Sequence, residues 1–486
     1  MLKNGFYNFA AAIARPAVSI LTIPLVISFI GLEEYGLWTL VSTTLVIVEL
    51  AEGGLSVSTT VFLSQDLANE EKNSFVQTLT ISFCLILLLA VLAGLSIFFF
   101  SDSLVEYFPK LEYEEKRVAT LALKLGIIVI CSRLFKQILT SVEQAYQQYG
   151  AMNLLNTAQI FLLNLGSVLV VSLGGKTIEI TIWYAAINIV FLVAHIYLVK
   201  KILRSRKLHW MWNWQKSKAI AKYSFTTWLT VIGGVMFGQF DRLIVGAFLG
   251  NKILAIYGTI TSIAVNINVV SAMAVQPLLP SLTKILAQNK PDRSLLVKQL
   301  EQGFRLNSSV ALGLGGSLFV LAPLAIAIVI PNGATPDNIW AFRLATIVYS
   351  CYSLNAVGFH LSFSVNLVNT CLILHLICGS LSLLAIAFGA KNFGTIGAIL
   401  GNSIYMGTLL INYFSMKKID LKLKTWLSWL AFPALWYAVS ISIAFVFPDN
   451  IIFSILFAIV QLFILGYWFI RVNKIDLKNK ILKIKK

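Results

Sequence analysis

Long apolar runs, separated by short polar turns from one end of the chain to the other, decide what this sequence can become. The runs 75–100 and 451–471 carry almost no charge over lengths that cross a hydrocarbon core, which takes about 20 residues of helix. Similar runs fill most of the 486 residues, so 58% of the chain is hydrophobic and only 12% charged. A soluble domain is roughly half apolar and about a quarter charged. No single core would bury this much apolar surface, and disorder requires the opposite balance. The sequence therefore predicts an all-α polytopic membrane protein of about 14 transmembrane helices, with little outside the bilayer.

The expected spans are 6–30, 37–62, 75–100, 118–146, 152–174, 179–200, 219–248, 254–283, 299–330, 338–365, 367–388, 394–416, 425–447 and 451–471. An even number puts both termini on one side. Lys200, Lys201, Arg204, Arg206, Lys207, Lys216, Lys218, Lys222, Lys417, Lys418, Lys422, Lys424 and the tail from Lys474 to Lys486 then share that side. Glu33, Glu34, Asp102, Glu106, Glu112, Glu114 and Glu115 lie on the other. The positive-inside rule makes the first side cytoplasmic. The opening stretch contains Arg15, Pro16 and Pro24 and is too long for a signal peptide, so it reads as a retained first span.

The net charge of +17 is spread between spans and in the tail, which is the pattern of topology signals and anionic-lipid contact; nucleic acid is not an expected partner. The five cysteines form no CxxC pair and read as packing residues, and the four histidines make no metal pattern. Gly175-Lys176-Thr177 resembles the end of a phosphate-binding loop, but Val170 stands where its first glycine belongs. The longest external loop, 101–117, has no room for a catalytic domain, so an enzyme is not expected.

A weak internal repeat aligns Ile30-Gly31, Trp38 and Gln65-Asp66 with Leu249-Gly250, Tyr257 and Thr283-Lys284. A parallel repeat divides the chain into a six-helix lobe with a basic linker (1–218), a second six-helix lobe (219–416) and an accessory helix pair with a basic tail (417–486). Chance similarity of two membrane hairpins is the competing explanation.

Ionisable groups inside spans are costly, about 2.5–3.5 kcal/mol each on insertion scales, and persist where they face a polar cavity. The cations are Arg15, Lys124, Arg133, Lys136, Arg242 and Arg343; the acids are Glu49, Glu52, Glu143 and Asp241. Arg133, Lys136, Gln137, Thr140, Glu143, Gln144 and Gln147 step by three or four along one helical stripe. Several such stripes predict a water-filled central cleft between the lobes. Its surplus of cations favours an anion such as phosphate or pyrophosphate, which a guanidinium fork matches. Asp241-Arg242 also fits a structural ion pair, Glu143 an interfacial position, and Lys124 a snorkelling side chain. Pro16, Pro24, Pro277, Pro280, Pro323 and Pro433 mark either static kinks or hinges.

Two stretches carry a family resemblance. Pro24-Leu25-Val26, Ile30-Gly31-Leu32-Glu33-Glu34-Tyr35-Gly36-Leu37-Trp38 and Gly53-Gly54-Leu55-Ser56 form the first. Gln239-Phe240-Asp241-Arg242-Leu243-Ile244-Val245-Gly246 with Leu249-Gly250 and Ile256-Tyr257 forms the second. The chain resembles the polysaccharide and O-antigen flippases of the multidrug/oligosaccharidyl-lipid/polysaccharide exporter superfamily. The resemblance implies alternating access in a bacterial cytoplasmic (inner) membrane, moving an oligosaccharide on undecaprenyl pyrophosphate from the cytoplasmic to the outer leaflet. It implies pyrophosphate binding by Arg15, Arg133, Lys136, Arg242 and Arg343. Glu49, Glu52, Asp241 and Glu143 are then candidates for ion coupling or gating, with H+ or Na+ as the coupling ion and no other cofactor. Polysaccharide polymerase and export proteins are the implied partners besides substrate and membrane lipid. A cation-coupled drug antiporter, a lipid II flippase and a non-transporting scaffold remain alternatives.

Overall fold

The computed structural model describes residues 2–49, 52, 54–108, 110–146, 148–204, 209–235, 238–276, 278–286, 292–330, 333–365, 367–447 and 450–473. Side chains within these are described except at 2–17, 19–20, 68, 226, 229–235, 279–280, 283–284 and 368. Among the described residues there is no strand. The helices are α1 (Leu2–Glu49), α2 (Leu55–Ala68), α3 (Lys72–Glu106), α4 (Tyr113–Ala145), α5 (Tyr149–Ser172), α6 (Thr177–Ile202), α7 (Trp214–Val235), α8 (Phe240–Leu249) and α9 (Asn251–Val275). They continue with α10 (Leu278–Leu286), α11 (Arg293–Val320), α12 (Ala322–Val329), α13 (Pro336–Ser353), α14 (Ala356–Ser364), α15 (Val368–Gly401), a 3₁₀ segment Asn402–Leu409, α16 (Leu410–Lys417), α17 (Leu423–Val446) and α18 (Ile451–Val472).

Large apolar side chains stand on the outside. Phe99 and Phe100 are each 66% exposed and Phe463 74%, as a lipid-facing surface demands and a soluble one forbids. Among the described residues, nine helices are long and apolar enough to cross a membrane, ten if the bent pair α11–α12 is one span. The other expected spans are divided. The expected span 37–62 stops at Glu49 and resumes at Leu55; 219–248 splits into α7 and α8, 254–283 into α9 and α10, and 338–365 into α13 and α14. The span 299–330 bends by 73° at Leu321, with Pro323 in the first turn of α12. Pro433, by contrast, sits inside an unbroken α17.

The turns between the expected spans 6–30 and 37–62, and between 367–388 and 394–416, are single glycines rather than loops. Gly31 in α1 has φ 80° and Gly394 in α15 has φ 60°, so each divides its helix into two arms. Gly250, between α8 and α9, has φ 84° and ψ 176°, close to the φ 80° and ψ 168° of Gly31. The aligned Ile30-Gly31 and Leu249-Gly250 thus share a turn geometry that a side chain resists.

Two compact units are present: 1–259 with 390–395, and 260–389 with 396–486. In the first, α4 lies at the centre, packed on α1, α2, α3 and α6. Leu37, Val41, Ile81, Ile86, Leu134 and Ile138 form its apolar core. The second arm of α1 also packs closely on the start of α9: a Cβ at Gly36 would lie 2.0 Å from the Asn251 carbonyl oxygen. In the second unit, α11 is central, packed on α13, α17 and α18, around Phe304, Leu312, Trp429 and Tyr437.

Candidate functional site

The first unit contains a polar network inside its apolar bundle. Arg133 of α4 donates from Nη1 to Glu49 Oε2 on α1 at 2.9 Å, and both side chains are about one-fifth exposed (21% and 22%). Gln137, one turn on, donates to the other carboxylate oxygen at 3.2 Å. Arg133 Nε also reaches Asn188 Oδ1 on α6 at 3.4 Å. Lys136 donates to Gln159 Oε1 at 2.7 Å and to Asn156 Oδ1 at 3.4 Å, both on α5. Gln159 Nε2 closes the circuit on Asn188 Oδ1 at 3.0 Å. Two cations and one carboxylate are therefore held together by amides from three helices. The pair is partly exposed rather than sealed.

The expected single stripe on α4 divides in the structure. Gln137, Ser141 and Gln144 face Glu49, the Ser56 carbonyl and Thr60 of α1 and α2. Lys136 and Glu143 turn instead toward α5 and α6. Steps of three and of four rotate in opposite senses around a helix, so a wide stripe serves two neighbours. Glu143 is fully buried, with its Oε1 2.8 Å from His195 Nδ1, and His195 is fully buried too. Glu143 Oε2 and His195 Nε2 have no hydrogen-bond partner among the described residues.

The other expected site residues lie elsewhere. Arg15 is in α1, but its side chain falls outside the described residues, as do the tail from Lys474 and the positions Arg206 and Lys207. Asp241 opens α8, is 1% exposed, and accepts from Tyr257 Oη and from the Arg242 backbone N–H, each at 2.8 Å. Glu52 accepts from the Ser56 backbone N–H at 2.6 Å and so caps the start of α2. Arg343 belongs to the second unit, 5% exposed, with its guanidinium 5.3 Å from the Trp340 ring and 5.4 Å from that of Phe319. Its one hydrogen bond among the described residues goes to the Ala444 carbonyl at 3.4 Å. Arg133, Lys136 and Glu49 are thus brought together; Glu143, Asp241, Glu52 and Arg343 each sit in a separate setting.

Lys124 pairs with Asp102 at 2.9 Å on an exposed surface. Gly175-Lys176-Thr177 forms the start of α6, where the Glu179 carboxylate accepts from the Lys176 backbone N–H and Glu34 accepts from that of Thr177. No group of three or more metal-ligating side chains exists among the described residues.

Sequence reasoning passed over Asn156, Gln159, Asn188 and His195, single polar residues in apolar spans whose positions were the available signal. It also passed over a clasp at the basic end. There Lys216 Nζ, at the start of α7, lies 2.8 and 2.9 Å from the two Asp66 oxygens and 2.7 Å from the Ser74 carbonyl. Thr78 donates to the same carboxylate.

A family described as "Polysaccharide biosynthesis protein" matches residues 1–286. No curated protein matches the sequence. Among solved structures, one titled lipid II flippase MurJ, inward closed conformation, is similar with a TM-score of 0.75 and 18% identity, covering 97% of this chain and 99% of that one. An inward-facing multidrug resistance MATE family transporter of the MOP superfamily gives 0.65 and 13%, covering 89% and 98%. A MATE multidrug transporter, DinF-BH, gives 0.58 and 15%, covering 87% and 95%. At these identities the likeness establishes the fold: a multi-pass helical membrane protein of the kind built by this superfamily.

Proposed function

The chain belongs to the polysaccharide biosynthesis protein family, and from that premise we propose that it is a flippase for an oligosaccharide carried on undecaprenyl pyrophosphate. It takes its substrate from the cytoplasmic leaflet of a bacterial inner membrane, with both termini cytoplasmic, and delivers it to the outer leaflet by alternating access. The observation that carries the reading is the Arg133–Lys136 network: two cations, one of them on a carboxylate about one-fifth exposed, placed in the interior of a lipid-facing bundle. A pyrophosphate cannot enter hydrocarbon unaided, because an unpaired charge there is far too costly. Displacing Glu49 from Arg133 would exchange one charge-assisted bond for another and leave the guanidinium paired throughout. Arg15, Arg242 and Arg343 are assigned to the same anion at other stages of its passage. H+ or Na+ drives the cycle, with Asp241 and Glu143 as the acids best shielded from water. Polysaccharide polymerase and export machinery receive the product.

The experiment is reconstitution. Purified protein in proteoliposomes should flip a fluorescent undecaprenyl-pyrophosphate oligosaccharide and leave a cationic dye untouched. Dye movement without lipid movement would replace the reading with a drug antiporter. The fold likeness to a protein titled lipid II flippase supports testing lipid II as the competing cargo in the same vesicles.

A further inference from the structure

The first unit has a groove on its lipid-facing side that the transport reading does not use. It has a volume of about 310 Å³ and lies between α3, α4 and α6, lined by Leu79, Phe83, Leu139, Val142 and Leu203 and roofed by Trp210. Its walls are almost entirely apolar. Beside it the surface is charged: Lys200 and Arg204 are exposed at the end of α6, each next in sequence to a groove-lining residue, Val199 and Leu203, and so share one flank of that helix, while His209 joins the lining.

The roof is held by two contacts. Trp210 meets the Phe83 ring edge-on at 6.0 Å. Six residues later the Lys216 clasp on Asp66 and Ser74 ties the same strand of chain to α2 and α3. Trp212 and Trp214, 5.5 Å apart, continue the aromatic row that belongs at a membrane–water boundary. An apolar slot flanked by two exposed cations on α6 matches one ligand shape: an acyl chain attached to a negatively charged headgroup.

We propose that this groove is a binding site for an anionic phospholipid of the surrounding bilayer, its chain beneath Trp210 and its phosphate on Lys200 and Arg204. The hydrocarbon lining gains nothing from choosing among lipids, since every acyl chain is equally apolar. Selectivity comes from the cations, each of which raises affinity for an anionic headgroup roughly fivefold. The bound lipid fixes the linker between α6 and α7 against the bundle whatever the protein transports.

The test is lipid counting on the full-length protein. Delipidated protein in micelles doped with phosphatidylglycerol or phosphatidylcholine is measured by native mass spectrometry. Wild type should retain phosphatidylglycerol preferentially. Lys200→Ala with Arg204→Ala should lower that affinity by roughly fivefold per cation and leave phosphatidylcholine unchanged. Val199→Trp, which fills the slot, should reduce retention of both. An unchanged lipid preference in the Lys200/Arg204 variant, whose substitutions are on the surface and leave the core intact, overturns the proposal. Displacement of phosphatidylglycerol by a polyprenyl phosphate at equal concentration would also overturn it, by giving the groove to an isoprenoid chain.

Discussion

Removing one member of the Arg133–Glu49 pair at a time separates a binding cation from a structural one. At contact distance and an effective dielectric of 20, a unit charge pair is worth about 4 kcal/mol. Both groups keep roughly one-fifth of their surface exposed, and desolvation opposes the attraction, so a net coupling of about 2 kcal/mol is expected. A double-mutant cycle of Arg133→Gln, Glu49→Gln and the pair, read as detergent-solubilised folding stability, should return that coupling. Transport then gives the sign. If a pyrophosphate replaces Glu49 on the guanidinium, Glu49→Gln removes the competitor and lowers the apparent KM, by up to about 30-fold if the whole coupling is released. Arg133→Gln raises KM. Opposite shifts in proteoliposome flipping, normalised to folded protein, are the expected outcome. Equal losses in both variants would show that the pair only holds α1 to α4, and the anion site would have to be sought elsewhere.

Asp66→Asn should loosen the clasp at the basic end: it strips the carboxylate from a Lys216 that is only 13% exposed, at a cost of about 3 kcal/mol, and limited proteolysis should cut near 205–213 faster than in wild type. Gly36→Ala should destabilise by about 1–3 kcal/mol, because its Cβ meets backbone at 2.0 Å; Gly150→Ala, with nothing within 4 Å, should be neutral, and monodisperse yield after heating compares them. Asp292 caps α11 by accepting from the Ser294 and Leu295 backbone N–H groups and from the Ser294 hydroxyl, and these bonds, the Leu295 one first and the hydroxyl next, hold its carboxyl below the usual carboxylate range. A depressed folded value contributes stability above the unfolded pKa of about 3.9 and loses it as pH falls through the folded one. Hydrogen exchange at Leu295 should therefore rise relative to Asp292→Asn on acidification below about pH 4; parallel behaviour of the two would refute the assignment.

The fold class was legible because lipid imposes one rule on every span, and the apolar runs obey it. The turn at Gly31 was legible in kind but not in form, since a glycine marks positive φ without saying that one residue suffices. The break at Leu354-Asn355 was not legible at all. That stretch carries neither proline nor glycine. The carbonyls freed there are taken by side chains from distant helices: Asn307 donates to the Ser353 carbonyl and Asn412 to that of Leu354, each at 3.0 Å. A helix interrupted by tertiary partners leaves no local mark. The same limit applies to the polar network. The costly residues Arg133, Lys136 and Glu49 announced themselves, because a charge in an apolar run demands an explanation. Their amide partners on α5 and α6, Asn156, Gln159 and Asn188, did not, because a single Asn or Gln in a span is cheap enough to pass as surface.

One helix thus carries two kinds of ionisable pair, and their difference follows from water. Arg133–Glu49 is about one-fifth exposed and surrounded by amides that can donate or accept, so on the proposed reading its bonds can be exchanged for those of an anion without stranding a charge. Glu143–His195, ten residues along α4, is sealed, with one atom on each partner left unpaired among the described residues. Both side chains are fully buried, so nothing the size of a phosphate reaches them. The two pairs are therefore distinguished along α4 by solvent access rather than by residue type. The charged stripe in the sequence shows that α4 is special, and only the packing of α1, α5 and α6 against it shows which of its charges stay partly exposed.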